Sequence, residues 1–187
     1  MDTGLVALWM PIVLSAVIVF VMSSIIHMAT PWHKNDYLAM PNEEGARSAL
    51  GGMNIPPGDY MVPHAGSMEE MKSEGFKEKY RKGPVFMATF MPHGEMSMGK
   101  SLGLWFAYSV VIGAICAYLA HKVLPWSAGY RGVFRVVGVV AFCSYGMGLA
   151  QFSIWYHRNW MTTIRSMVDA AIYGALTAGT FGWLWPR

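Results

Sequence analysis

Met87, Met91, His93, Met96 and Met98 fall in one short stretch of the chain, and thioether and imidazole donors together suit Cu(I). Met91, His93, Met96 and Met98 are therefore candidate copper ligands, as in a copper-handling protein or small transporter. The plainer expectation, in a chain with 16 methionines, is methionine as flexible apolar filler, with no dedicated metal site. The stretch that follows, Gly94-Glu95-Met96-Ser97-Met98-Gly99-Lys100-Ser101, fits the phosphate-loop pattern G-x-x-x-x-G-K-[ST] in full. A working phosphate loop also needs a parallel sheet and a second strand ending in Asp for the metal, and the sequence offers neither. The expected role is a helix start, with Lys100 at the membrane interface near an anionic lipid headgroup rather than a nucleotide.

The six histidines, His27, His33, His64, His93, His121 and His157, fit no C-x-x-C-H, H-E-x-x-H or Cys/His zinc spacing. None sits in the middle of an apolar run, where a haem or pigment ligand belongs. His27 and His157 end runs on one side and could approach each other. No nucleophile–base–acid constellation stands out. The sequence thus predicts no catalytic residues, no cofactor and no enzymatic activity.

The elements that carry these residues are set by hydrophobicity. The chain is 54% hydrophobic and only 13% charged, with a mean hydropathy of +0.32; soluble domains carry about 25% charged residues. The charges cluster between Lys34 and Lys100, and long uncharged runs flank them. A net charge of +3 without a basic, aromatic-interleaved stripe argues against nucleic acid as a partner. Cys116 and Cys143 both lie inside apolar runs, where a thiol acts as a small packing residue.

Four runs are long enough to cross a bilayer, for which about 20 apolar residues suffice: Leu5–Met28, Leu102–Ala120, Val133–Trp155 and Val168–Trp185. The first lacks a basic n-region and a small-residue cleavage site, so it reads as a retained anchor. Trp9, Trp32, Trp105, Trp126, Trp155, Trp160, Trp183 and Trp185 lie near run ends, the headgroup level that amphipathic rings favour. Asp169 falls in the first turn of the fourth run, at the membrane edge, where the helix dipole favours a carboxylate. The expected fold is an all-α integral membrane protein, a four-helix bundle. It divides into a first span at 1–28, an extramembrane segment at 29–101, and three spans within 102–187.

The polar segment reads as mixed short helix and irregular structure. Ser67 with Glu70 is a capping box, predicting a helix from Met68 to Lys82 stopped by Gly83-Pro84. Val85–Met91 reads as a short strand and the stretch from Asn54 to Tyr60 as a turn. Lys/Arg asymmetry places this segment in the cytoplasm, with the N-terminal tail, the second loop and the C-terminus opposite. Within the spans, small residues recur at four-residue spacing: Ser109, Gly113 and Ala117; Ser144 and Gly148; Ala171, Ala175 and Gly179. Such faces let helices approach closely in lipid, within the bundle or against other transmembrane subunits.

Four stretches, Ser24-Ile25-Ile26-His27-Met28, Asn54-Ile55-Pro56-Pro57-Gly58-Asp59-Tyr60-Met61, Ser153-Ile154-Trp155-Tyr156 and Gly179-Thr180-Phe181-Gly182-Trp183-Leu184-Trp185-Pro186, together resemble a family of small uncharacterised bacterial inner-membrane proteins. The resemblance implies a multi-pass protein of the bacterial inner membrane and no particular activity. Small-residue faces and a polar segment without its own core point to a non-enzymatic accessory or structural subunit of a larger membrane complex, respiratory or photosynthetic. Its expected partners are the lipid bilayer and other transmembrane subunits.

Overall fold

The computed structural model describes residues 4–95 and 97–186. The chain forms two compact units, Met1–Leu38 with Ser97–Arg187, and Ala39–Met96.

The first unit is a helical bundle. Helix α1 (Trp9–Ser24) is preceded by a 3-10 turn at Gly4–Leu8 and followed by a π-helical turn at Ile25–Ala29. Pro11, in the first turn of α1, leaves its hydrogen-bond ladder intact. Helices α5 (Gly99–Val123) and α6 (Tyr130–Gly146) follow; α6 loosens into a 3-10 turn at Met147–Leu149 and resumes as α7 (Ala150–Tyr156). Helix α8 (Trp160–Leu184) completes the unit. Three of these helical stretches are long and apolar enough to cross a membrane: Gly4–Ala29, Gly99–Val123 and Tyr130–Tyr156. Helix α8 matches them in length but carries Arg165, Asp169 and many Gly and Thr residues, and it is not as apolar.

Glycines set how closely these helices meet. A Cβ at Gly174 of α8 would stand 3.1 Å from the Phe142 amide nitrogen and 3.3 Å from the Gly138 carbonyl oxygen of α6. One at Gly146 would lie 2.7 Å from the Ala170 side chain, and one at Gly182 would lie 2.7 Å from the Tyr130 ring. Helices α6 and α8 therefore run antiparallel in contact along most of their length. Gly113 of α5 has Ile12 of α1 at 3.3 Å in the same way, and Ser109 and Ala117 beside it are buried, so this small-residue face is used inside the bundle. Ser144 is half-buried, its hydroxyl donating to the Val140 carbonyl. Gly148, Ala171 and Ala175 are exposed, and Gly179 lies against the Tyr130 hydroxyl. The core around them holds Leu8, Val19, Ile112, Val133, Val137 and Phe181.

The start of α8 departs from the sequence expectation. The helix begins at Trp160, not near Val168, because the Asn159 side chain accepts the Met161 amide and caps it. Its polar first turns are absorbed by partners: the Thr163 hydroxyl meets that of Ser153 at 2.7 Å, and Ser166 donates to the Thr162 carbonyl. Asp169 is thus the tenth residue of the helix, about 14 Å from its start at 1.5 Å per residue, not in its first turn.

The second unit contains α2 (Glu43–Gly51), α3 (Met68–Lys72), α4 (Glu74–Lys82) and a two-stranded antiparallel sheet of β1 (Gly58–Val62) and β2 (Phe86–Phe90), with Tyr60 opposite Ala88. Ser67 caps α3 as the capping box requires, its hydroxyl accepting the Glu70 amide. The expected single helix to Lys82 is broken at Ser73, which turns extended and caps α4 through the Phe76 amide. The stretch expected as a turn before Tyr60 ends in strand β1. The all-α expectation is therefore amended by one small two-stranded sheet whose strands are joined across α3 and α4.

Gly174→Ala is expected to lower bundle stability by about 1–3 kcal/mol, because backbone atoms fill the space its methyl needs. Gly148→Ala, with nothing within 4 Å of the added carbon, should leave stability unchanged. Thermal unfolding of the purified protein in mild detergent distinguishes the two.

Candidate functional site: a buried histidine–aspartate cluster

The segment after α1 reads Thr30-Pro31-Trp32-His33-Lys34-Asn35-Asp36. Thr30, extended before Pro31, ends the helix; its hydroxyl donates back to the Ile26 carbonyl at 2.6 Å and accepts the Trp32 amide. Two tight turns, Lys34 N–H to Pro31 O and Asp36 N–H to His33 O, then fold the chain on itself. They bring Trp32, His33 and Asp36 against the side of α8.

His33 bridges two carboxylates. Its Nε2 lies 2.7 Å from Asp169 Oδ2 and its Nδ1 lies 2.6 Å from Asp36 Oδ2. The second oxygen of each carboxylate is also engaged: Trp32 Nε1 donates to Asp169 Oδ1 at 3.1 Å, and Arg165 Nη1 donates to Asp36 Oδ1 at 2.9 Å. The two aspartate side chains are 5% and 7% exposed, and Arg165 and His33 are at most 22% exposed. Arg165 also lies 6.0 Å from the Trp32 ring centre. His27, in the π-helical turn, stacks on His33 with ring centres 4.3 Å apart and planes within 9°. Its Nδ1 sits 3.0 Å from the Ser23 carbonyl oxygen, which can only accept, so Nδ1 is the donor and the neutral ring carries its lone pair on Nε2.

Beside this cluster lies a cavity of 410 Å³, with His27 and Asp169 in its wall. Trp105, Tyr145 and Tyr173 form its aromatic side, with ring centres 5.6–6.0 Å apart. Trp105 Nε1 donates to the Ser23 hydroxyl. The Tyr173 hydroxyl is buried and has no hydrogen-bond partner among the described residues. Trp32, 42% exposed, and Trp105 each donate their indole N–H to a polar partner within the unit. Burial would raise the Asp36 carboxyl, but hydrogen bonds and charge from His33 and Arg165 outweigh it and hold the group below the ordinary aspartate value of 3.8.

The residues singled out from sequence are placed as follows. Met91 and His93 are exposed in the loop after β2, Met98 precedes α5 and lines the cavity, and Met96 is outside the described residues. The phosphate-loop match also includes Met96. The strand before it, β2, pairs only antiparallel, and Lys100 and Ser101 lie in the first turn of α5. His157 ends α7 in the left-handed conformation, with φ 54°, while His27 pairs with His33. His33, Asp36, Arg165 and Asp169 were not read as a site. Their signal was an acid and a base four residues apart on the last apolar helix together with His-x-x-Asp just after the first, charges that a bundle interior tolerates only in pairs.

The fold and cluster define a largely helical protein with three helical stretches long and apolar enough to cross a membrane and a polar, charged site within the bundle. Compared with models of known families, with curated proteins and with solved structures, the chain matches none.

Asp169→Ala should destabilise the bundle by about 1–3 kcal/mol, since it leaves the Trp32 indole and a His33 nitrogen without partners. Because the Asp36 carboxyl is depressed when folded, its contribution is complete above pH 3.8 and falls away as pH drops below that. Acid unfolding followed by circular dichroism should show this loss in the parent and not in Asp36→Asn.

Proposed function

We propose that the chain is a non-enzymatic subunit of a larger bacterial inner-membrane complex, anchored by four spans with α8 as the fourth. The observation that carries this reading is the state of the second unit. Among its described residues none is buried, and Met40, Met53, Met68 and Met91 are 57–80% exposed. Among its described residues the sheet is a single antiparallel strand pair joined across α3 and α4, and a lone pair of strands is marginal in water. Half of the 16 methionines belong to this unit, and methionine surfaces adapt readily to a partner. The close antiparallel packing of α8 along α6 supports α8 as a span. The exposed Ala171–Ala175 face of α8 offers a further helix a close approach. Lys/Arg asymmetry and the family resemblance support an inner-membrane location with 39–96 in the cytoplasm.

One observation favours the metal-handling alternative, and it concerns His27, His33 and Asp169 rather than the stretch from Met91 to Met98.

In native gels of membranes solubilised in mild detergent, the chain is expected well above its own 20.7 kDa, and deletion of 39–96 should release it from the larger species. A full-length chain that migrates alone contradicts the proposal. A cysteine introduced by Glu74→Cys should react with a membrane-impermeant maleimide only after the cells are opened.

A further inference from the structure

We propose that His27, His33 and Asp169 form a binding site for one divalent first-row transition-metal ion. One ligand atom from each residue lies within 4.8 Å of those of the other two. The stronger argument lies in what the rest of each side chain does. His27 donates Nδ1–H to the Ser23 carbonyl, which frees Nε2. His33 has Asp36 on Nδ1, so Nε2, now against Asp169 Oδ2, is the nitrogen available to exchange that contact for the ion. Asp169 accepts the Trp32 indole on Oδ1, so Oδ2 is the oxygen that would do the same. Metal-bound histidine almost always gives its other nitrogen to a carbonyl or carboxylate in this way, fixing the tautomer and ring orientation. Arg165 in turn holds Asp36. Three potential ligands thus come with three outer partners already in place, a pattern that a merely structural ion pair does not require.

The donor set decides the ion class. Two imidazoles and one carboxylate suit Zn²⁺, Co²⁺ or Fe²⁺, whereas Mg²⁺ and Ca²⁺ prefer all-oxygen sites. The ion would replace the hydrogen bond between His33 Nε2 and Asp169 Oδ2, which must open from 2.7 Å to about 3.3 Å, the spacing of two tetrahedral ligands. Three protein ligands leave coordination positions open. His27 and Asp169 both line the 410 Å³ cavity, so those positions are within reach of a small molecule or water in it. The unpartnered Tyr173 hydroxyl, one helical turn beyond Asp169 and lining the same cavity, is a hydrogen-bond donor for such an occupant. His27 is carried by a π-helical turn, a distortion frequent at functional sites. The site does not depend on the chain being a subunit of a complex.

The test uses the full chain in mild detergent, affinity tag removed and metal stripped by chelator, titrated with Co²⁺. One Co²⁺ per chain is expected, with visible d–d absorption that Zn²⁺ abolishes. His27→Ala and His33→Ala should each weaken binding at least about 10-fold, and Asp36→Asn about 10- to 100-fold with all three ligands retained. His93→Ala should bind as the parent does. His27 is exposed and outside the ion-pair chain, so its variant remains decisive should His33→Ala fail to fold. Absence of Co²⁺ absorption in the parent, unchanged affinity in folded His27→Ala, or loss of binding in His93→Ala would each overturn the site.

Discussion

A carboxylate ten residues into a helix packed among apolar neighbours cannot stand alone. Removing its water costs several kcal/mol, which only a partner of opposite charge or a set of donors can offset. Asp169 meets that demand with His33 and Trp32, both from the seven residues that follow the π-helical turn. The loop that supplies them is held in turn by Thr30, Pro31 and the Arg165–Asp36 pair. One buried charge thereby fixes the path of the chain as it leaves the first helix, ties the first helix to the last, and shapes the edge of a cavity. The aromatic wall opposite, Trp105 with Tyr145 and Tyr173, completes that cavity from α5, α6 and α8.

The same helix that carries the charge carries the smallest side chains. Gly174 and Gly182 let α8 lie against α6 at backbone distance, and Ala170 fills the space above Gly146. In lipid, where apolar burial gives no advantage to helix association, close approach of this kind supplies dispersion contacts that larger residues would block. Helix α8 is not among the three stretches apolar enough to cross a membrane and is among the most enclosed, with Asp169, Thr162, Thr163 and Thr177 all buried. Several of its polar groups face the protein interior, with Thr163 and Ser166 finding hydroxyl or carbonyl partners.

Hydropathy made the three most apolar helices legible, because their composition alone is enough to set them apart. Local chemistry revealed the Ser67 cap and strand β2, since capping and β-propensity act over a few residues. The split at Ser73 was not legible: the apolar side of 68–82 continues smoothly through it, and the serine's second cap competes only once the backbone has turned. The site was hidden for a related reason. Thr162, Thr163, Arg165 and Ser166 look like loop residues until Asn159 is seen to cap a helix in front of them, and that misplaced start put Asp169 in the first turn of the helix. His33 and Asp36 carry no motif because their partners are about 130 residues away in sequence.

Met98 and Ser101, at the start of α5, belong to the wall of the cavity. The hollow is thus bordered by thioethers and aromatic rings as well as by an imidazole, a carboxylate and hydroxyls. An occupant with an apolar body and a polar end would find a partner for each.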